Sequence, residues 1–237
     1  MELNDLINET NAVLIEDAAD DRVIFSHNEN KMFKSASVIK LYVLAYYIYN
    51  GIPLDKVYHI EKKQMIGTSI ITERKLTEVK LIDMLKYMIG MSDNTATNVL
   101  FADATFEKLN AFIKDVVKAE NTVIARKMLD YKAAEEGRDN LTTLCDIYKV
   151  IKLLMCYDDA REILKTQKCL ERIGRYIFDN DVTMYLKAGD IPMVYNDAGI
   201  IEKNGKRIFA GVLSYSEDKS RAKKLCGLAG LKAYEQF

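Results

Sequence analysis

Strand-like segments stand at both ends of this chain and helical patterns fill its middle. That order limits the folds open to it. Ala12-Val13-Leu14-Ile15 and Val23-Ile24-Phe25 flank Glu16-Asp17-Ala18-Ala19-Asp20-Asp21, which reads as an antiparallel hairpin with an acidic turn. Strand character returns at Thr183–Leu186, Met193–Ile201 and Arg207–Ser214. Asn204-Gly205, between the last two, is the residue pair that a type I′ hairpin turn favours. Helical periodicity runs from Val38 to Tyr49, where Asn50-Gly51-Ile52-Pro53 stops it. It dominates again from about Leu81 to Cys169 and over Ser216–Tyr234. The expected fold class is α/β (α+β). One antiparallel sheet is built from both termini, with an all-helical lobe inserted between them. The boundaries drawn are 1–36 and 182–237 for the α/β lobe and 37–181 for the helical lobe. A cleft is expected where the lobes meet.

Composition narrows the chemistry. A length of 237 residues with 49% hydrophobic content supports a real core. The net charge of -1 gives no basic footprint for nucleic acid. The richest apolar run, Leu41–Tyr49, is far shorter than the roughly 18 residues of a membrane span, so no membrane partner is expected. Met1-Glu2-Leu3-Asn4-Asp5 lacks a basic region followed by an apolar run, which points to a cytoplasmic protein. Cys145, Cys156, Cys169 and Cys226 are widely spaced and read as buried, reduced thiols. With only two histidines, His27 and His59, a His-based metal site or triad has little material. No metal or cofactor is expected, and proton transfer falls to another group.

Ser37-Val38-Ile39-Lys40 opens the first long helix. Positions three apart share a helix face, so the lysine amine would reach the serine hydroxyl and take its proton. The helix N-terminus favours the negative charge that develops there. The S-x-x-K pattern alone is weak, because Ser216–Lys219 and Ser220–Lys223 also match it in a charged segment that reads as solvated helix. An isolated Ser37 would read as an N-cap. Context separates it: Phe33 precedes it, and the helix after it is apolar and would bury the stem of Lys40 near a core.

Ser92-Asp93-Asn94 lies between the helical patterns Leu81–Met91 and Thr95–Phe101. It reads either as a cap or turn, or as a site in which the Ser92 hydroxyl relays a proton and the Asn94 amide binds a carbonyl. Lys187-Ala188-Gly189 follows the run Val182–Leu186. It reads either as a strand ending in a glycine turn, or as a cation beside the serines. In the second reading Lys187 would hold an anionic substrate and lower the proton affinity of Lys40. Gly189 would admit a substrate backbone to the strand edge, and the N–H groups of Ser37 and Asp190 would form an oxyanion hole.

The three motifs in this order resemble the signature set of class A β-lactamases and penicillin-binding proteins. Phe33–Lys40 is similar to that family's nucleophile segment and Met91–Asn98 to its longer S-D-N segment; the similarity runs from about Asn11 to the C-terminal helix. The resemblance implies a β-lactamase-like fold with the site between the lobes. It implies a serine hydrolase acylated on Ser37 by a small-molecule amide or ester, a class that includes β-lactams and peptidoglycan-like peptides. Ser37, Lys40 and Ser92 would be catalytic. Asn94, Lys187, Gly189 and Asp190 would bind substrate.

Departures from the family carry information too. Its deacylating glutamate sits in an omega-shaped loop, two residues after an arginine that pairs with a later aspartate. Ile124–Asp130 is similar to the start of that loop and Arg138-Asp139-Asn140 to its end, with Arg126 and Asp139 matching the closing salt bridge. Met128 falls where the glutamate stands, and a thioether cannot deprotonate water. Asp130, Glu135 and Glu136 follow it. Asn98 matches the residue that holds the glutamate, so its partner is expected to be missing. Met193–Ile201 carries no arginine where the family commonly has a guanidinium, and Asp190 puts a negative charge directly after the K-A-G. Two readings stand: an active serine hydrolase, and a penicillin-binding or sensor-like protein that acylates but deacylates poorly. The intact Ser37–Lys40 pair argues against a third, a relic that binds without chemistry.

Overall fold

A computed structural model describes residues 2–237. The hairpin of β1 (Asn11–Asp17) and β2 (Arg22–His27) leads to β3 (Phe33–Lys34) and α1 (Lys40–Tyr49). Next come β4 (Val57–His59), the one-turn α2 (Ile70–Glu73) and β5 (Glu78–Lys80). Helices α3 (Leu81–Gly90), α4 (Asn94–Ala104) and α5 (Phe106–Asp115) enter a long loop that carries α6 (Tyr131–Glu135) and leaves through β6 (Leu141–Thr142). After α7 (Leu144–Leu154) and α8 (Asp158–Leu164), the chain returns as β7 (Thr183–Ile191), β8 (Val194–Lys203), β9 (Lys206–Ser214) and α9 (Lys219–Tyr234).

Five strands form one antiparallel sheet in the order β2-β1-β9-β8-β7. β1 joins the chain's two ends, running from Asn11 opposite Ser214 to Asp17 opposite Ile208. It is buried throughout because both sheet faces are covered, which is why it reads as a continuous apolar run. Ala12 and Leu14 face a core built around α1, whereas Val13 and Ile15 face α9. α1 is apolar around most of its girth and lies in the centre of the larger core.

Several boundaries differ from the sequence expectation. Glu16 and Asp17 belong to β1, past a bulge at Ile15/Glu16, and are not part of the turn. α1 is preceded by a 3-10 turn over Ala36–Ile39. β7 does not stop at Leu186 but runs through Lys187-Ala188-Gly189 to Ile191. The short pairs β3–β6 and β4–β5 carry too few residues to show a period. All four cysteines are free thiols, but only Cys226 is buried: Cys145 and Cys169 are half-buried and Cys156 is exposed. No helix among the described residues is long and apolar enough to cross a membrane.

α9 crosses the 3-10 turn Ile173–Tyr176 at Gly230, where a Cβ would lie 1.9 Å from the carbonyl oxygen of Ile173. The closeness requires glycine, since a side chain there would push apart two elements that hold each other. Gly230→Ala is expected to cost about 1–3 kcal/mol. The thermal midpoint should fall by about 2–4 °C per kcal/mol in a chain of this size, which calorimetry would measure.

Candidate active site

Ser37 lies in the 3-10 turn ahead of α1, after Ala36 at φ 46°. A left-handed conformation in a residue bearing a Cβ costs of order 1 kcal/mol or more and persists only where its surroundings enforce it. Here both sides do so. The N–H and Oγ of Ser35 donate to the Asn140 carbonyl at 2.9 and 3.0 Å. From the sheet, Asn196 Nδ2 donates to the carbonyls of Lys34 and Ser35 at 2.9 and 3.2 Å. Gly189 completes the clamp. A Cβ on it would lie 2.7 Å from the nitrogen of Ser37 and 2.8 Å from that of Val38. It is therefore the nucleophile segment's own backbone, rather than a substrate's, that needs the glycine in β7.

Lys40 is fully buried at the first position of α1. Its Nζ donates to the Ser92 carbonyl at 2.7 Å, to Ser92 Oγ at 3.1 Å and to Asn94 Oδ1 at 2.9 Å. The amine points at the S-D-N motif and makes no hydrogen bond with Ser37. Burial holds it well below the usual lysine range; repulsion from Lys187 adds to this, and Asp93 opposes it. A lysine in that state can accept a proton.

The S-D-N motif divides its work. Asp93 is a helix cap, accepting from the Ala96 N–H at 2.8 Å, and also receives Ser69 Oγ at 2.8 Å and the Ile71 N–H at 3.1 Å. Ser92, held at φ 56°, and Asn94 turn their side chains to Lys40. Lys187 Nζ reaches Ser92 Oγ at 3.3 Å and its neighbour's carbonyl, that of Ala188, at 2.6 Å. Burial lowers Lys187 to about 8, with Asp197 the largest opposing charge. Ser92 Oγ thus lies within reach of two lysine nitrogens, which leaves its own proton to be directed elsewhere.

Arg172, which no motif singled out, places a guanidinium against the end of β7. It is buried, and Nη1 donates to the carbonyls of Gly189 and Asn196 at 2.9 and 2.7 Å. Its Nη2 lies 3.0 Å from Asp190 Oδ1, so the negative charge after the K-A-G has a cationic partner. Only proximity in the fold could have linked an arginine in a loop to the far end of the strand that follows it.

The loop expected to be omega-shaped is closed by an ion pair. Arg126 Nε meets Asp139 Oδ1 at 2.8 Å, with both side chains almost wholly buried, and Lys34 Nζ lies 3.3 Å from the other carboxylate oxygen. Asp130 caps α6, and its carboxylate accepts from the Ala133 N–H at 3.1 Å. The expectation for Asn98 is corrected. Its Oδ1 accepts from the Met128 N–H at 2.7 Å and its Nδ2 donates to the Met128 carbonyl at 3.1 Å. It grips main chain, so no partner is missing. Beside Ser37 is a cavity of about 40 Å³ lined also by Asn94, Met128, Leu129, Tyr131 and Asp190. Asp190 is its only carboxylate-bearing residue, and that group is paired with Arg172. Toward Ser92, Cys169 and Lys187 the cleft opens into about 380 Å³. Glu135 and Glu136 do not line the cavity beside Ser37. No cluster of potential metal ligands occurs among the described residues.

A model of the beta-lactamase enzyme family matches residues 1–237. No curated protein sequence matches this chain. Among solved structures it is similar to a beta-lactamase from Chitinophaga pinensis, at 19% identity over 99% of this chain and 97% of that one, with a TM-score of 0.86. A beta-lactamase from Sphaerobacter thermophilus gives 21% identity, 95% and 90% coverage and a TM-score of 0.83. PBP-A gives 20% identity, 99% and 94% coverage and a TM-score of 0.84. These likenesses establish the β-lactamase-like fold.

Asp139→Ala would leave the Arg126 guanidinium buried without its carboxylate. A cost of about 3–5 kcal/mol is expected for breaking a buried pair in this way. Hydrogen exchange should show the loss concentrated in residues 126–140.

Proposed function

The chain belongs to the beta-lactamase enzyme family, and from that premise we propose that it opens an amide or ester bond by acylating Ser37. The observation that carries this reading is the buried Lys40 amine, held by Ser92 and Asn94 and lowered in proton affinity. In the acylation step Lys40 takes the Ser37 proton as Oγ bonds to the substrate carbonyl carbon. The proton then passes through Ser92 to the leaving nitrogen or oxygen, and the scissile bond breaks. The N–H groups of Ser37 and Asp190 hold the developing oxyanion. Asn94 spends its Oδ1 on Lys40, which frees its N–H donors for a substrate carbonyl. Lys187 and Arg172 attract an anionic group. β-Lactams and peptidoglycan-like peptides fit this pattern of a carbonyl beside an anion. A mutant of PBP-A has been solved as an acyl-enzyme complex with penicillin-G. The same adduct class is proposed for this chain.

Met128 favours slow release of that adduct. A positioned general base commonly contributes about 10²–10⁴-fold to a proton-transfer step, and the cavity beside Ser37 has no free carboxylate to act on water. The behaviour expected is that of a penicillin-binding or sensor-like protein with low turnover.

Labelled penicillin followed by intact mass tests both readings. A persistent adduct should form on the wild type and vanish in Ser37→Ala; no adduct with any β-lactam or activated ester would sink the proposal. Met128→Glu should hasten loss of the adduct by roughly 10²-fold or more. The acylation rate should fall as pH drops through the depressed pKa of Lys40, because the protonated amine cannot accept the Ser37 proton; stopped-flow acylation across pH would detect that limb.

A further inference from the structure

Asp197 is a fully buried carboxylate next to the cleft that the proposed chemistry does not use. It sits on β8 opposite Ala188, so the strand pair lies between its side chain and that of Lys187. Its Oδ2 accepts from the N–H of Ile173 at 3.1 Å, which ties β8 to the turn immediately after Arg172. Its Oδ1 and the Arg172 Nε are both buried without a protein partner. The charged and titratable groups around it are Arg172 and Cys169 in the strap before that turn, Cys226 on α9, and Lys187 and Asp190 on β7. Burial raises Asp197 to about 6, against the pull of Arg172 and Lys187.

We propose that Asp197 is a positioning residue of the cleft: the buried counter-charge shared by Lys187 and Arg172, and the anchor of the turn that directly follows Arg172. This rests on the reading that those two cations receive the substrate's anionic group. Two buried cations in one region repel and are costly to desolvate. One carboxylate, screened by little more than strand backbone, offsets both while touching neither substrate nor Ser37. The sign of its effect on stability follows from its raised pKa. The folded chain binds this proton more tightly than the unfolded chain, so stability falls as pH rises from the usual aspartate range through about 6. Ionised Asp197 therefore burdens the fold at neutral pH, which separates its role from that of an ordinary structural residue.

The test uses Asp197→Asn, which keeps an acceptor for the Ile173 N–H and removes the charge. Its melting temperature at pH 7.5 should equal or exceed that of the wild type. The Lys187 Cε resonance, followed in protein carrying 13C-lysine, should titrate at lower pH, with the proton affinity of the amine reduced about tenfold. The KM or acylation concentration-dependence for an anionic penicillin should weaken by a similar factor on the alkaline side, with little change in the limiting rate. Superimposable Lys187 titrations in the two proteins would overturn the proposal. A second measurement holds even where Asp197→Asn fails to fold. In Lys187→Met the Asp197 carboxyl, followed by 13C-aspartate, should titrate above its wild-type midpoint, and an unmoved midpoint would also overturn it. Coupled titrations together with unchanged penicillin binding in Lys187→Met would instead remove Lys187 from substrate binding, leaving the tie between Lys187 and Asp197 in place.

Discussion

The buried amine of Lys40 is the constraint around which the rest is arranged. An ammonium without solvent needs acceptors, and a neutral amine needs neighbours that withhold a proton. The site supplies both: the carbonyl and hydroxyl of Ser92, the amide oxygen of Asn94, and Lys187 to disfavour a second positive charge. These contacts tie α1 to the α3–α4 junction, and through Ser92 to β7. The same three groups therefore hold helices and sheet edge in register and set the chemistry of the cleft. Ser92 turns both its carbonyl and its hydroxyl toward the amine from a left-handed backbone, so the strain there has a visible function.

Much of this could be read from residues alone. The hairpins declared themselves through apolar runs around Asn204-Gly205 and the acidic turn, because turn chemistry and period are local signals. The three motifs converge on Lys40, Ser92, Asn94 and Lys187, and the family match over the whole chain agrees with the resemblance they carried. Other features had no local signature. Gly189 looked like a strand terminator, yet the strand continues, because the backbone that needs its missing side chain lies 152 positions earlier, at Ser37. Arg172 and Asp197 gain meaning only from the strand pair between Gly189 and Asn196. Asn98 was read through the side chain expected at position 128, whereas its hydrogen bonds go to backbone atoms that any residue but proline possesses.

The nucleophile segment shows how rigidity is built from modest parts. Asn140 in the loop and Asn196 in the sheet take hold of the carbonyls and N–H groups of residues 34–35 from opposite directions. Each bond is worth only about 1 kcal/mol in net terms. Together with the close approach of β7 they hold Ala36 in a conformation it would not choose, and Ser37 inherits its orientation from that hold.

The grip of Asn98 on the main chain of Met128 has a consequence for how such a protein can change. Because the loop is fastened through backbone atoms, the side chain at position 128 is free of any duty to that fastening. The side chain itself packs in the larger core, so a change there is felt by the packing while the backbone hold remains. Under the proposed acylation of Ser37, the lifetime of the covalent adduct would be set at a position whose backbone stays fixed. On the reading proposed above, a carboxylate at that position would clear the adduct and make the chain a catalyst. With a thioether, on the proposed reading, it lingers, and occupancy of Ser37 would become a record that substrate was once present.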